Sequence, residues 1–145
     1  MSRGMVAMKH AILGVGAIGG LVGTMLASLG EDVTVLVRPQ RLANYPKNLT
    51  LQRPSGAITA PAKAATTLTE SADVLWIATK TYQLSSALEI IHAVPGGVVP
   101  LLNGVDHVAV LRERFGAERV VPATITSETE SSAPGKLSSA RRSCT

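Results

Sequence analysis

Residues 11–30 read AILGVGAIGGLVGTMLASLG, twenty positions without one charged side chain. A bilayer-spanning helix needs about twenty apolar residues, and Arg3 and Lys9 would serve as its positive flanks. Gly16 with Gly20 and Gly19 with Gly23 even supply the small-xxx-small spacing of packed membrane helices, and a signal peptide is a third option. The positions of the glycines argue against all three. Gly14, Gly16 and Gly19 stand at G-x-G-x-x-G spacing directly after the short apolar run at 10–13, which breaks any continuous helix there.

Either side of that break the pattern changes period. Residues 10–13 fit a strand, whereas Ile18, Leu21, Val22, Met25 and Leu29 recur at the i, i+3, i+4, i+7 spacing of an amphipathic helix. Gly30 is placed to close that helix in a left-handed cap, and VTVLV at 33–37 reads as a strand buried on both faces. Strand, glycine turn, helix and strand within about thirty residues make a βαβ unit whose turn can receive a dinucleotide pyrophosphate. Gly14 permits the tight turn, Gly16 lets the backbone approach the phosphates, and Gly19 lets the helix pack closely on the strand. Unpaired N–H groups and the positive end of the helix dipole then face the anion.

The end of the second strand selects the nucleotide, because NAD-binding domains carry an acid there for the ribose hydroxyls. Here the chain reads Val37-Arg-Pro-Gln-Arg41, two guanidiniums and no carboxylate, which suits the 2′-phosphate of NADP. Arg38 is the expected phosphate clamp and Arg41 its support; the competing reading is a pair of solvated arginines.

A chain of 145 residues, 46% hydrophobic and 17% charged, suffices for one compact core and is not disordered in composition. Its net charge of +4 is spread along the sequence and its aromatic content is 3%, so no stacking platform for nucleic acid is expected, and no membrane partner. The single cysteine, Cys144, excludes an internal disulfide and a cysteine-based metal site, which fits a reducing cytoplasm. His10, His92 and His107 lack ligand spacing and read as packed or surface residues, so no metal site is expected.

Further along, strand and helix patterns keep alternating, which predicts an α/β fold, doubly wound, with a mostly parallel sheet of Rossmann type. A helical turn is expected at 41–45. Strands at 48–52 and 57–60 flank the Arg53-Pro-Ser-Gly56 turn as a hairpin-like excursion. Strands follow at 73–78, 98–102 and 119–125, with helices at 83–93 and 105–115 between them. Ligands of such sheets gather outside the carboxyl ends of the strands, which singles out Thr79-Lys-Thr-Tyr-Gln83 and Leu102-Asn-Gly-Val105. By residue chemistry alone Lys80 is either a cation facing a ligand or an exposed helix-entrance lysine, and Asn103-Gly104 is either a contact or plain turn and cap chemistry.

Taken in order, Gly14-Val-Gly-Ala-Ile-Gly19, an arginine closing the second strand, Lys80-Thr-Tyr-Gln83 and Leu102-Asn-Gly-Val105 resemble ketopantoate reductase (2-dehydropantoate 2-reductase). The likeness runs from Lys9 to Leu137 and takes in Thr124-Ile-Thr126 and the Ala133-Pro-Gly-Lys136 turn. The resemblance implies NADPH-dependent reduction of 2-dehydropantoate to pantoate on the route to pantothenate. It implies that Gly14, Gly16, Ala17, Ile18 and Gly19 hold the pyrophosphate and Arg38 the 2′-phosphate. Lys80 and Gln83 would line the adenosine and ribose side, and Asn103 would lie by the nicotinamide and the substrate.

Members of that family continue into a helical second domain carrying the lysine that protonates the carbonyl and an acid that holds the substrate. Such a domain is absent from these residues, so no catalytic residue is expected in them. Residues 1–8 read as a flexible tail, 9–137 as the NADP(H)-binding domain, and the polar, non-alternating stretch 138–145 as an irregular tail left by a truncation or frameshift. The expectation is a cytoplasmic chain that binds NADPH, and takes a small 2-keto acid only when a second domain is supplied. A stand-alone NADP-binding sensor or partner module, a remnant that does not fold stably, and a related 2-hydroxyacid or opine-type dehydrogenase are the other readings.

Overall fold

The computed structural model of the chain describes residues 7–102, 104–125 and 129–139. The deciding stretch folds as strand, turn and helix: β1 (Lys9–Leu13), a turn through Gly14, and α1 (Ala17–Ser28), followed by β2 (Asp32–Leu36). Gly30, at φ +86°, ends α1. Its N–H donates to the Ala27 carbonyl at 3.1 Å and the Glu31 N–H to the Leu26 carbonyl at 3.2 Å, the paired bonds of a Schellman cap. Among the described residues no helix is long and apolar enough to cross a membrane.

The remaining elements are α2 (Pro39–Leu42), β3 (Asn48–Arg53), β4 (Gly56–Pro61), β5 (Lys63–Ala65), β6 (Val74–Ile77), a 3-10 turn at Thr81–Gln83, α3 (Leu84–Leu88), β7 (Gly97–Pro100), α4 (Asp106–Phe115), β8 (Thr129–Ala133) and β9 (Lys136–Ser139). Five strands form a wholly parallel sheet in the order β5-β2-β1-β6-β7. From β1 the chain builds outward one way through β2 and β5, then crosses to β6 and β7. That reversal opens a crevice between the carboxyl ends of β1 and β6, the usual ligand site of a Rossmann-type sheet. The fold is therefore the doubly wound α/β architecture that the alternation predicts.

A second sheet, in the order β4-β3-β9-β8, is built from the expected hairpin and a later strand pair. β9 runs parallel to β3, with Leu51 opposite Leu137, and the two sheets enclose α1. A Cβ added at Gly23 would lie 3.3 Å from Leu49 of the second sheet and 3.5 Å from Ile12 of the first; one at Gly20 would meet Leu137 at 2.8 Å. The helix lacks charge because it is covered from two sides, and its glycines admit the second sheet rather than another membrane helix. The hydroxyl of fully buried Thr24 donates back to the Gly20 carbonyl at 2.7 Å, which satisfies that polar side chain within the helix.

The opposite face of the parallel sheet carries Ala11, Leu13, Leu75, Ile77 and Val98, packed with Leu84, Leu88 and Leu111 from α3 and α4. The helical turn expected at 41–45 lies earlier, as α2 at Pro39–Leu42, where Pro39 starts the helix, and two later elements also differ from expectation. The helix expected over 83–93 is confined to α3, because the chain past Leu88 pairs with Leu68 instead: the Leu68 N–H donates to the Ile90 carbonyl and the His92 N–H to the Leu68 carbonyl, both at 2.9 Å. The strand expected over 119–125 makes a single bridge, Val120 to Val98, and runs beside β7 through the Val98 to Arg119 and Val121 to Val98 bonds. β9 keeps its pairing through Ser139, opposite Thr129. Residues 1–6 of the expected N-terminal tail, and 140–145 with Cys144, lie outside the described residues.

Candidate functional site

Parallel register sets the strand ends at one level, with Leu13 opposite both Leu36 and Ile77, and Ile77 opposite Pro100. The residues that follow each strand therefore share one rim. Gly14 sits at φ +90°, and a Cβ there would come within 2.7 Å of the Ala78 carbonyl carbon and the Thr79 nitrogen. The turn is thus wedged against the exit of β6, and only glycine fits. A Cβ at Gly19 would overlap the Gly14 carbonyl oxygen, so helix and turn are in direct contact. Gly16 is different, since a Cβ there would meet nothing within 4 Å; its surface is open on the outside of the turn.

Gly16 is also the N-cap of α1, without a side-chain cap and with no acid in the first turn. The first N–H to enter the helical ladder is that of Gly20, which donates to the Gly16 carbonyl at 2.9 Å. The N–H groups of Ala17, Ile18 and Gly19 precede it and are left for an external acceptor. Gly14, Gly16, Ala17, Ile18 and Gly19 thus form one cradle at the crevice mouth.

Arg38 follows β2, exposed, as the extended N-cap residue of α2, whose first residue is Pro39. Arg41 is exposed on the same short helix. On the other flank Lys80 is exposed after β6, and the N–H of half-buried Gln83 donates to its carbonyl at 2.9 Å. Among the described residues none of Arg38, Arg41 and Lys80 has an ion-pair partner, so the rim carries uncompensated positive charge on both sides of the glycine turn. Asn103 lies outside the described residues; its neighbour Gly104 is at φ +87°.

The structure adds a feature of the 79–83 stretch that its sequence position does not show. Thr79, between the wedge of Gly14 and Lys80, has a buried hydroxyl with no hydrogen-bond partner. A polar residue straight after a strongly apolar strand is the signal that could have marked it. Burial pushes the Tyr45 phenol above its usual range, offset in part by the Arg41 charge, and its hydroxyl is likewise unpartnered.

The histidines stand elsewhere or are packed. Buried His10 accepts the Trp76 indole N–H on Nδ1 at 3.0 Å, which leaves the proton on Nε2 facing the Glu31 carboxylate at 3.2 Å. His107 is 4% exposed, and His92 is on the surface. Among the described residues no His, Cys, Asp and Glu group is arranged to hold a metal ion.

A family model described as ketopantoate reductase PanE/ApbA matches residues 10–143. A 2-dehydropantoate 2-reductase of Caulobacter vibrioides is 38% identical over 133 residues, which cover 88% of this chain and 44% of the relative. The structure of 2-dehydropantoate 2-reductase from Porphyromonas gingivalis superimposes with a TM-score of 0.80 at 24% identity, over 94% of this chain and 53% of that one. D-mandelate dehydrogenase in complex with NADH gives 0.75 at 26% identity, over 91% and 45%. The chain spans about half the length of these proteins or less.

Proposed function

The chain belongs to the ketopantoate reductase family, and from that footing we propose that it binds NADP(H) as the cofactor half of a reductase acting on 2-dehydropantoate. The observation that carries this reading is the cradle itself: a glycine turn open at Gly16, an uncapped helix start, and positive charge on either side with no acid at the end of β2. Gly14, Gly16, Ala17, Ile18 and Gly19 would hold the pyrophosphate, Arg38 with Arg41 the 2′-phosphate, and Lys80 and Gln83 the adenosine ribose side. Asn103 would reach the nicotinamide and the 2-keto acid. The unpaired donors and the orphaned Thr79 hydroxyl fit a polyanionic nucleotide, because each finds an acceptor only outside the chain.

When bound, the nicotinamide would supply a hydride to the ketone carbon of 2-dehydropantoate, leaving an alkoxide that becomes pantoate on taking up a proton. The residues of this chain fix and orient the nucleotide, a contribution made through preorganised geometry. A reduction also needs a proton for the forming alkoxide, and no described rim residue is placed to give it: Lys80 serves the nucleotide and His107 is buried. Residues 1–145 alone are therefore expected to bind NADPH with little or no turnover of 2-dehydropantoate; turnover at the rate of a complete reductase would contradict this. We place the protein in the cytoplasm, with NADPH and a small 2-keto acid as partners and residues 9–137 as the binding unit.

The test is a titration of the purified chain with NADPH and with NADH at one ionic strength, followed by energy transfer from Trp76, the single tryptophan. Saturable binding that favours NADPH is expected. A preference for NADH would favour a second reading, a 2-hydroxyacid dehydrogenase half, which the likeness to NADH-bound D-mandelate dehydrogenase supports.

A further inference from the structure

Thr79 is half-exposed as a residue, yet its hydroxyl oxygen is buried and has no hydrogen-bond partner. A threonine Cβ carries a hydroxyl and a methyl group, and the staggered rotamers about the Cα–Cβ bond point the hydroxyl in different directions. Rotation about that bond can turn the hydroxyl out of its buried position, and no hydrogen bond holds the oxygen there. The backbone here is fixed: the Ala78 N–H donates to the Leu13 carbonyl at 2.8 Å, and the Gly14 turn presses against Ala78 and Thr79. Thr79 is therefore held beside the phosphate cradle, at the crevice between β1 and β6, with a hydroxyl that lacks a partner.

We propose that Thr79 is a nucleotide-binding residue whose hydroxyl turns outward to donate to an oxygen of the bound dinucleotide, exchanging an unpaired buried state for a hydrogen bond. The inference rests on the nucleotide reading above. Removal of the hydroxyl would then cost nucleotide affinity and not the stability of the free chain. A hydroxyl that serves the fold would behave in the opposite way, because its removal would cost stability in the free chain.

The test compares Thr79→Val, which replaces the hydroxyl by a methyl group at nearly constant shape, with Thr79→Ser, which keeps it. NADPH affinity is read by Trp76 fluorescence and thermal stability is read without nucleotide. Thr79→Val is expected to weaken NADPH binding about tenfold, the effect of one hydrogen bond to a charged acceptor, with thermal stability unchanged or raised. Thr79→Ser is expected to bind within about twofold of the parent. Wild-type affinity in Thr79→Val, with the parent chain binding normally, would overturn the inference and leave the nucleotide reading intact. A lowered melting temperature in Thr79→Val that Thr79→Ser restores, without a change in affinity, would also overturn it, in favour of a structural hydroxyl. Failure of the parent chain to bind NADPH would overturn the nucleotide reading and this inference with it.

Discussion

Gly14 and Gly16 differ by two positions and have opposite sensitivities. A Cβ at Gly14 meets backbone at 2.7 Å in a conformation that L-residues avoid, so Gly14→Ala should unfold or strongly destabilise the chain. A Cβ at Gly16 meets nothing, so Gly16→Ala should change stability by less than about 1 kcal/mol while obstructing the approach of a pyrophosphate. Thermal melts together with NADPH titrations of both variants separate the two effects. Arg38→Ala is expected to weaken NADPH by about 10- to 100-fold, the value of a charge-assisted contact, and to leave NADH affinity within a few-fold. Equal losses for both nucleotides would assign Arg38 elsewhere. Tyr45 makes a prediction in pH. Its folded phenol holds its proton above the ordinary 10.0, so the folded form binds more protons than the unfolded one, and stability falls as pH rises past 10. Tyr45→Phe should flatten that decline and, because the hydroxyl has no partner, cost little at neutral pH.

At the scale of elements, α1 carries the most structure for its length. Its Gly20 faces Leu137 of β9 and its Gly23 faces Leu49 of β3, so the second sheet closes on the helix through residues far apart in sequence. Gly20→Ala places a methyl group 2.8 Å from the Leu137 side chain and should cost about 1–3 kcal/mol by overpacking. Leu137→Ala should cost about 2–4 kcal/mol by leaving a cavity, and the double variant should cost less than the sum. Strict additivity in chemical denaturation would mean that the second sheet does not close on α1 in solution. The elements also show what local pattern conveys. The turn, α1, β2, the hairpin and the end of α4 at Gly116 were legible, because glycine position and hydrophobic period are set within a few residues. The short α3 was not, since the backbone past Leu88 is taken by Leu68, some twenty residues earlier.

For the whole molecule, the doubly wound sheet and its crevice follow from the order of the elements, and the family resemblance was visible in four motifs along the chain. The second sheet was not visible, because β3 and β9 pair across more than eighty residues and no short-range signal announces a parallel partner at that distance. The same long-range closure explains why residues 11–30 resemble a membrane segment: apolar cover on two sides removes charge from a helix as a bilayer would. At the proposed site, Gly14 to Gly19, Arg38 and the stretch that begins at Thr79 could be named from spacing and position, whereas the unpartnered hydroxyl of Thr79 could not, because a missing partner is a property of packing. The measurement that tests the central claim most directly is an amide chemical-shift map of the chain during NADPH titration. The account predicts perturbations concentrated on the carboxyl rim, at Gly14, Gly16, Ala17, Ile18, Arg38, Thr79 and Lys80. Perturbations centred on the opposite end of the sheet, around Glu31, Asp73 and Gly97, or none at saturating nucleotide, would contradict it.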